Sequence, residues 1–207
     1  MQEAWAIREV NDEVIITSKQ LGVNNFIYYG GPGISKINKK PLNCYQIYKE
    51  IIEKLKSVDI NLVGVESGFF IDPYYWDVVS GGPKRDELIE DLIGQIRDMA
   101  RAGVSILGYS WMPLGPIRTE PLTIRGDASA TAFNEKSKNL ELAGKNSIKI
   151  QHSDEFPINN ILHLTSDMLW QNLEYWIKAV TPVAEEEGIR LGICLLYTSP
   201  SPRDSIR

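Results

Sequence analysis

The chain has 207 residues, 43% of them hydrophobic, which is enough to fill one ordinary domain and supply its core. A net charge of -5 and a pI near 5.2, with basic residues scattered rather than clustered, exclude an electrostatic footprint for nucleic acid or an anionic membrane. No stretch is long and apolar enough to span a bilayer, Met1 opens no basic flank before an apolar run, and two distant cysteines, Cys44 and Cys194, suit a reducing compartment, so the expected location is the cytoplasm.

Trp5 to Ile7 is a short apolar segment that predicts a first strand; Asp12 is expected to cap a helix that reaches Leu21 and ends at Gly22. Asn25 to Tyr29 reads as a second strand, broken by Gly30-Gly31-Pro32-Gly33. Those glycines invite a phosphate cradle, but such a cradle needs a helix that starts at the glycines, and here a lysine-containing loop runs on to Pro41. A plain turn is the expectation. Tyr48, Ile51, Ile52 and Leu55 then form one face of a helix from Asn43 to Ser57, in which Cys44 reads as a small buried hydrophobe. Asn61 to Val65 is the third strand, with Glu66 at its C-terminal end, and the aromatic loop Phe69 to Trp76 leads through Gly81-Gly82-Pro83 into the next helix.

That helix begins at Arg85. Ile89, Ile93, Ile96 and Ala100 repeat at helical spacing, and Leu88, Leu92 and Met99 widen the stripe enough to lie on a sheet. Gly103 ends it, and the apolar run Val104 to Gly108 suits a strand buried on both faces. Tyr109-Ser110-Trp111-Met112-Pro113 opens a loop, followed by an irregular excursion from about 114 to 165, too long for an ordinary connection. Ser166 or Asp167 is expected to cap a helix with a buried stripe of Leu169, Leu173, Trp176 and Val180, kinked near Lys178 by Pro182. Arg190 to Ile193 starts a fifth strand. Strand and helix alternate five times without a hairpin signal, which predicts an α/β fold of parallel strands; an open doubly wound sheet and a barrel both satisfy it.

From Cys194 to Asp204 the pattern breaks into Ser/Pro-rich text. One codon choice for it, TGTCTCTTATACACATCT followed by CCGAGCCCACGAGAC, reads as a transposase end and a library adapter. Residues 194–207 are therefore expected to be a non-native tail after a native partial barrel at 1–193; the other reading is a genuine disordered extension. An eight-stranded barrel needs about 250 residues, so a barrel here would be cut open.

The blocks Arg97 to Val104, Tyr109 to Pro113, Arg118-Thr119, Gly126 to Phe133, Met168 to Tyr175 and Lys178 to Gly188 resemble the N-terminal part of the mannonate dehydratases. The likeness runs in register from 85 to 193 and is thin before residue 60. It implies a xylose-isomerase-like (β/α)8 TIM barrel truncated after about five strands. It also implies a lyase that converts D-mannonate to 2-dehydro-3-deoxy-D-gluconate plus water in hexuronate breakdown, with Mn2+ or Fe2+ as cofactor and a sugar acid as small-molecule partner. The full-length parent can be a homo-oligomer.

Such a reaction removes a weakly acidic proton beside a carboxylate, which calls for a divalent cation to stabilise the developing charge and for a general base and acid. The family's metal-ligating histidine should follow the fifth strand in a His-Pro-Asp-Asp-Pro run, where this chain has Cys194. His152 and His163 lack the spacing of a metal site, so no metal or catalytic role is assigned and the chain alone is expected to be inactive. Substrate-binding candidates stand at the C-terminal strand ends, where barrels carry their sites: Glu66, Tyr109 and Trp111, with Tyr29 and Ser110 beside them, and Arg118 from the excursion as a partner for a carboxylate. Each has a plainer reading: Glu66 can bridge to a loop, Trp111 can wall off the core and Arg118 can be solvated. The excursion itself can serve as a lid or an oligomer contact. A sugar isomerase or epimerase on the same barrel, and a non-enzymatic half-barrel module, are the alternatives.

Overall fold

The computed structural model describes residues 3–30, 43–67, 73–111, 118–138 and 164–193. Along them run β1 (Trp5–Ile7), α1 (Asp12–Leu21), β2 (Asn25–Tyr29), α2 (Cys44–Lys56), β3 (Asn61–Ser67), α3 (Trp76–Ser80), α4 (Arg85–Ala102) and β4 (Ile106–Tyr109). Two short strands, β5 (Leu122–Thr123) and β6 (Ser129–Ala130), precede α5 (Ser166–Glu186) and β7 (Arg190–Ile193).

The strands β1, β2, β3, β4 and β7 form one sheet in that order, every pair parallel. This order separates the two architectures that alternation left open. A doubly wound sheet reverses its strand order at a switch point, whereas a barrel winds one way. The sheet is an arc of barrel, unclosed: among the described residues β1 pairs only with β2 and β7 only with β4.

Alternation along the strands sends Val65, Leu107 and Tyr109 to the helical side. There they join a buried cluster with Tyr48 and Ile52 of α2, Leu92, Ile96 and Met99 of α4, and Trp176 and Val180 of α5. Ile7, Phe26, Leu55 and Ile60 form a second cluster. The opposite face, which would line the lumen of a closed barrel, carries Ile27, Tyr29, Gly64, Glu66, Ile106, Gly108 and Gly192.

The stripe predicted for α4 is buried as expected, with Leu88, Ile89, Leu92, Ile93, Ile96 and Met99 inside, each such side chain contributing about 1.5–3 kcal/mol. Gly103 ends the helix at φ 99°, and the amide of Val104 donates to the Met99 carbonyl at 3.0 Å. Two expected caps shift by one position or two. Asn11, not Asp12, caps α1 by accepting from the Val14 amide at 2.9 Å, and Thr165, not Ser166 or Asp167, caps α5 by accepting from the Met168 amide at 3.2 Å. Helix α5 runs through Pro182 to Glu186. Pro182 is exposed, so the Lys178 carbonyl that loses its amide partner is on the side where water can replace it.

The excursion contains structure that the alternation pattern did not announce. Residues 118–138 include an antiparallel hairpin in which Leu122 pairs with Ala130 and Thr123 with Ser129. Gly126 and Asp127 turn it in left-handed conformation, at φ 72° and 57°, and Thr119 donates its amide to the Ala132 carbonyl at 2.9 Å. The turn proposed at 31–33, part of the aromatic loop, His152, His163 and the tail from Cys194 lie outside the described residues.

Candidate functional site at the C-terminal strand ends

One row of registered residues crosses the sheet near its C-terminal edge. Tyr29 pairs with Glu66, Glu66 with Gly108 and Gly108 with Gly192. All four belong to the lumen face, since their sequence neighbours Tyr28, Val65 and Leu107 turn to the helices. Glu66, half-buried, leans over the missing side chain of Gly108: a Cβ built there would touch Glu66 Cγ at 3.5 Å. A Cβ at Gly192 would meet nothing within 4 Å. A carboxylate therefore stands beside backbone that carries no side chains at Gly108 and Gly192.

The end of β2 is tied down from both sides. Gly30 donates its amide to the Glu66 carbonyl at 3.0 Å, and the Tyr48 hydroxyl donates to the Gly30 carbonyl at 3.2 Å. At the start of the row the Arg8 guanidinium carbon lies 4.8 Å from the centre of the Tyr29 ring, a cation–π contact.

Tyr109 and Trp111 are placed differently from Glu66. Both are buried and gather around Trp176 of α5: Tyr109 meets it edge-on at 4.7 Å between ring centres, and Trp111 stacks on it at 6.1 Å. Burial pushes the Tyr109 hydroxyl above its ordinary value, so it stays protonated. Ser110, between them, is buried as well. These aromatics back the rim from the helical side. Arg118 is exposed at the root of the hairpin. The structure thus brings Tyr109 and Trp111 together, sets Glu66 on the other face of the sheet and leaves Arg118 on the excursion. Arg8, which is not among the residues singled out from the sequence, directly follows the first strand, at the end where barrels carry their sites.

Among the described residues no group of three or more His, Cys, Asp or Glu is placed to hold a metal ion. Glu66 belongs to no such group among the described residues, so these residues do not make up a centre for manganese or iron.

Comparison with known proteins bears on the identity of this fold. The chain is 28% identical over 155 residues to a mannonate dehydratase of Streptococcus pneumoniae (strain 70585), a match that covers 70% of this chain and 41% of the relative. It is 30% identical over 132 residues to one of Streptococcus suis (strain 05ZYH33), covering 58% and 36%. The crystal structure of mannonate dehydratase from Streptococcus suis serotype 2 superposes with a TM-score of 0.65 at 20% identity, over 93% of this chain and 53% of that one. A protein from Anabaena variabilis described as a sugar phosphate isomerase/epimerase gives a TM-score of 0.54 at 15% identity, over 98% and 57%. Both structural likenesses show the xylose-isomerase-like barrel fold, and the chain spans about two fifths of the length of the relatives it matches in sequence. The family match starts at residue 34, well before the in-register likeness at 85 and the first motif block at Arg97. With the sequence model of D-mannonate dehydratase (UxuA) matched across residues 34–195, the chain belongs to that family.

Proposed function

We propose that this chain is the front part of a metal-dependent lyase that dehydrates D-mannonate to 2-dehydro-3-deoxy-D-gluconate. The family match over residues 34–195 carries this reading. In the reaction the C2 proton and the C3 hydroxyl leave as water, and the enol that remains tautomerises to the ketone. Glu66 is the side chain we assign to the substrate on the lumen face, over the bare backbone of Gly108 and Gly192. Tyr109 and Trp111 serve as the wall behind the rim, and Arg118 closes over the substrate from the excursion.

Manganese or ferrous iron, implied by the family reading, would be held by residues beyond this chain. Residues 194–207 are taken as an adapter-derived tail on the codon reading of Cys194 to Asp204. Hexuronate breakdown would place the whole protein in the cytoplasm, and a homo-oligomer is compatible with the exposed hairpin. The isomerase or epimerase alternative rests on shared fold alone.

The test is to re-read the source DNA across the Ile193 codon and to assay the polypeptide from the recovered frame with D-mannonate and added manganese. Formation of the keto-deoxy acid is expected, with none from the 207-residue chain. A genuine frame ending at Arg207, or turnover by the short chain, would overturn the proposal.

A further inference from the structure

The row on the lumen face extends one strand beyond Tyr29. Ala6 pairs with Ile27 and Ile7 with Tyr28, so the next residue, Arg8, comes beside Tyr29 on the lumen side. The guanidinium carbon of Arg8 lies over the Tyr29 ring, 4.8 Å from its centre. That contact gives the guanidinium no lone-pair acceptor, and among the described residues none of its N–H donors makes a hydrogen bond. Arg8 is exposed, and among the described residues no carboxylate pairs with it. An oriented cation with unengaged donors thus stands at one end of the row, Glu66 two strands along, and uncovered backbone at Gly108 and Gly192 beyond.

We propose that Arg8, oriented by Tyr29, is the anchor for the substrate's carboxylate, a specificity-determining contact that selects a sugar acid over a neutral sugar. The inference rests on the sugar-acid reading above and names the residue that recognises the acid. Two strand spacings put the Arg8 and Glu66 backbones about 9–10 Å apart. At that separation both long side chains can reach a six-carbon chain laid across the row. The ligand's carboxylate sits at the cationic end and its hydroxyls near Glu66, away from like-charge repulsion. A guanidinium suits this role because its planar fork matches both carboxylate oxygens, which an ammonium cannot do.

All parts of this anchor lie within the chain, so it is tested on the 207-residue protein. The backbone amide signals of Tyr29, Gly108 and Gly192, which the Arg8 variants retain, are followed by NMR during titration with D-mannonate and, separately, with uncharged D-mannitol. A saturable shift with D-mannonate alone is expected. Arg8→Gln should weaken D-mannonate binding at least about tenfold while leaving the weak response to D-mannitol unchanged, and Arg8→Lys should recover only part of the loss. Because Arg8 is exposed, the variants should keep the native circular dichroism. No D-mannonate binding by the chain, equal binding by Arg8→Gln, or a loss carried by Arg118→Gln alone would overturn the anchor. The two proposals fail separately: Arg8-dependent binding of D-mannonate with no dehydration by the recovered full frame removes the lyase and keeps the anchor. Dehydration with an unchanged KM in Arg8→Gln does the reverse.

Discussion

Asn172 shows how one polar side chain can tie distant segments together. It is buried on α5, and its amide donates to the Val79 carbonyl at 2.9 Å, joining α5 to α3 across 93 residues. Its Oδ1 lies 2.9 Å from where a Cβ of Gly81 would stand, and Gly81 has φ 73°. Asn172→Ala leaves the Val79 carbonyl without this donor and should cost about 1–3 kcal/mol, read as a lowered urea midpoint at constant slope. Gly81→Ala strains the backbone and crowds the same amide, so it should destabilise too. Cys44 offers a second check. It is buried, its thiol donates to Gln95 Oε1 at 3.4 Å, and burial together with the nearby Asp98 charge pushes its pKa up to about 12. In a Cys194→Ser background the native protein should show no thiol reactive to a disulfide reagent at about pH 8, and one after unfolding in urea. A thiol that reacts at once in the native state would contradict this burial.

At the scale of elements, the three lumen-face glycines have different surroundings and should respond differently to the same change. A Cβ at Gly64 would stand 3.1 Å from Ile106 Cβ and 3.2 Å from its carbonyl, at Gly108 in ordinary contact with Glu66, and at Gly192 in open space. Gly64→Ala should therefore cost about 1–3 kcal/mol as β3 and β4 are pushed apart. Gly108→Ala and Gly192→Ala should stay within about 1 kcal/mol of the parent, since alanine also restricts the unfolded chain. Equal losses at all three, measured by urea unfolding, would mean that β3 and β4 are not in this register. The same contrast explains what could be read from the sequence. Strands β2 and β7 and the stripe of α4 were legible because burial on the helical side imposes apolar periodicity. The caps were misplaced because several adjacent polar residues can each accept from the first helical turn, and only the backbone decides among them. The hairpin was missed because its strands are two residues long with exposed, unpatterned side chains, leaving Gly126-Asp127 as its one signal. The site was legible only in part. Glu66 is where its place at a strand end put it, but a strand end does not say which face a residue takes. Tyr109, one register step beyond Gly108, turned to the helices, while Arg8 had no motif to mark it.

For the whole molecule, the buried titratable groups all resist ionisation in the same direction. Cys44, Tyr48 and Tyr75 are buried at 1%, 0% and 2% exposure, and desolvation raises the pKa of each in the folded state. Tyr74, hydrogen-bonded to Asp91 at 2.6 Å, and Tyr109 are raised as well. A raised folded-state pKa means that the native chain keeps its proton after the unfolded chain has released it. The stability linked to these groups is therefore intact below their ordinary values, 9.0 for the thiol and 10.0 for the phenols, and falls as pH climbs above them. Each fully buried group contributes about 1.4 kcal/mol of loss per pH unit in that window, so three together can exhaust a marginal stability of about 5–15 kcal/mol within a few units. The expected outcome is cooperative alkaline unfolding that begins above about pH 10, with loss of helical circular dichroism and appearance of buried tyrosinate absorbance in one transition. Tyrosines that titrate gradually at their ordinary value while the fold persists would show that the helical-side core admits water. That result would also remove the rigid backing on which the rim of Glu66, Gly108 and Gly192 depends.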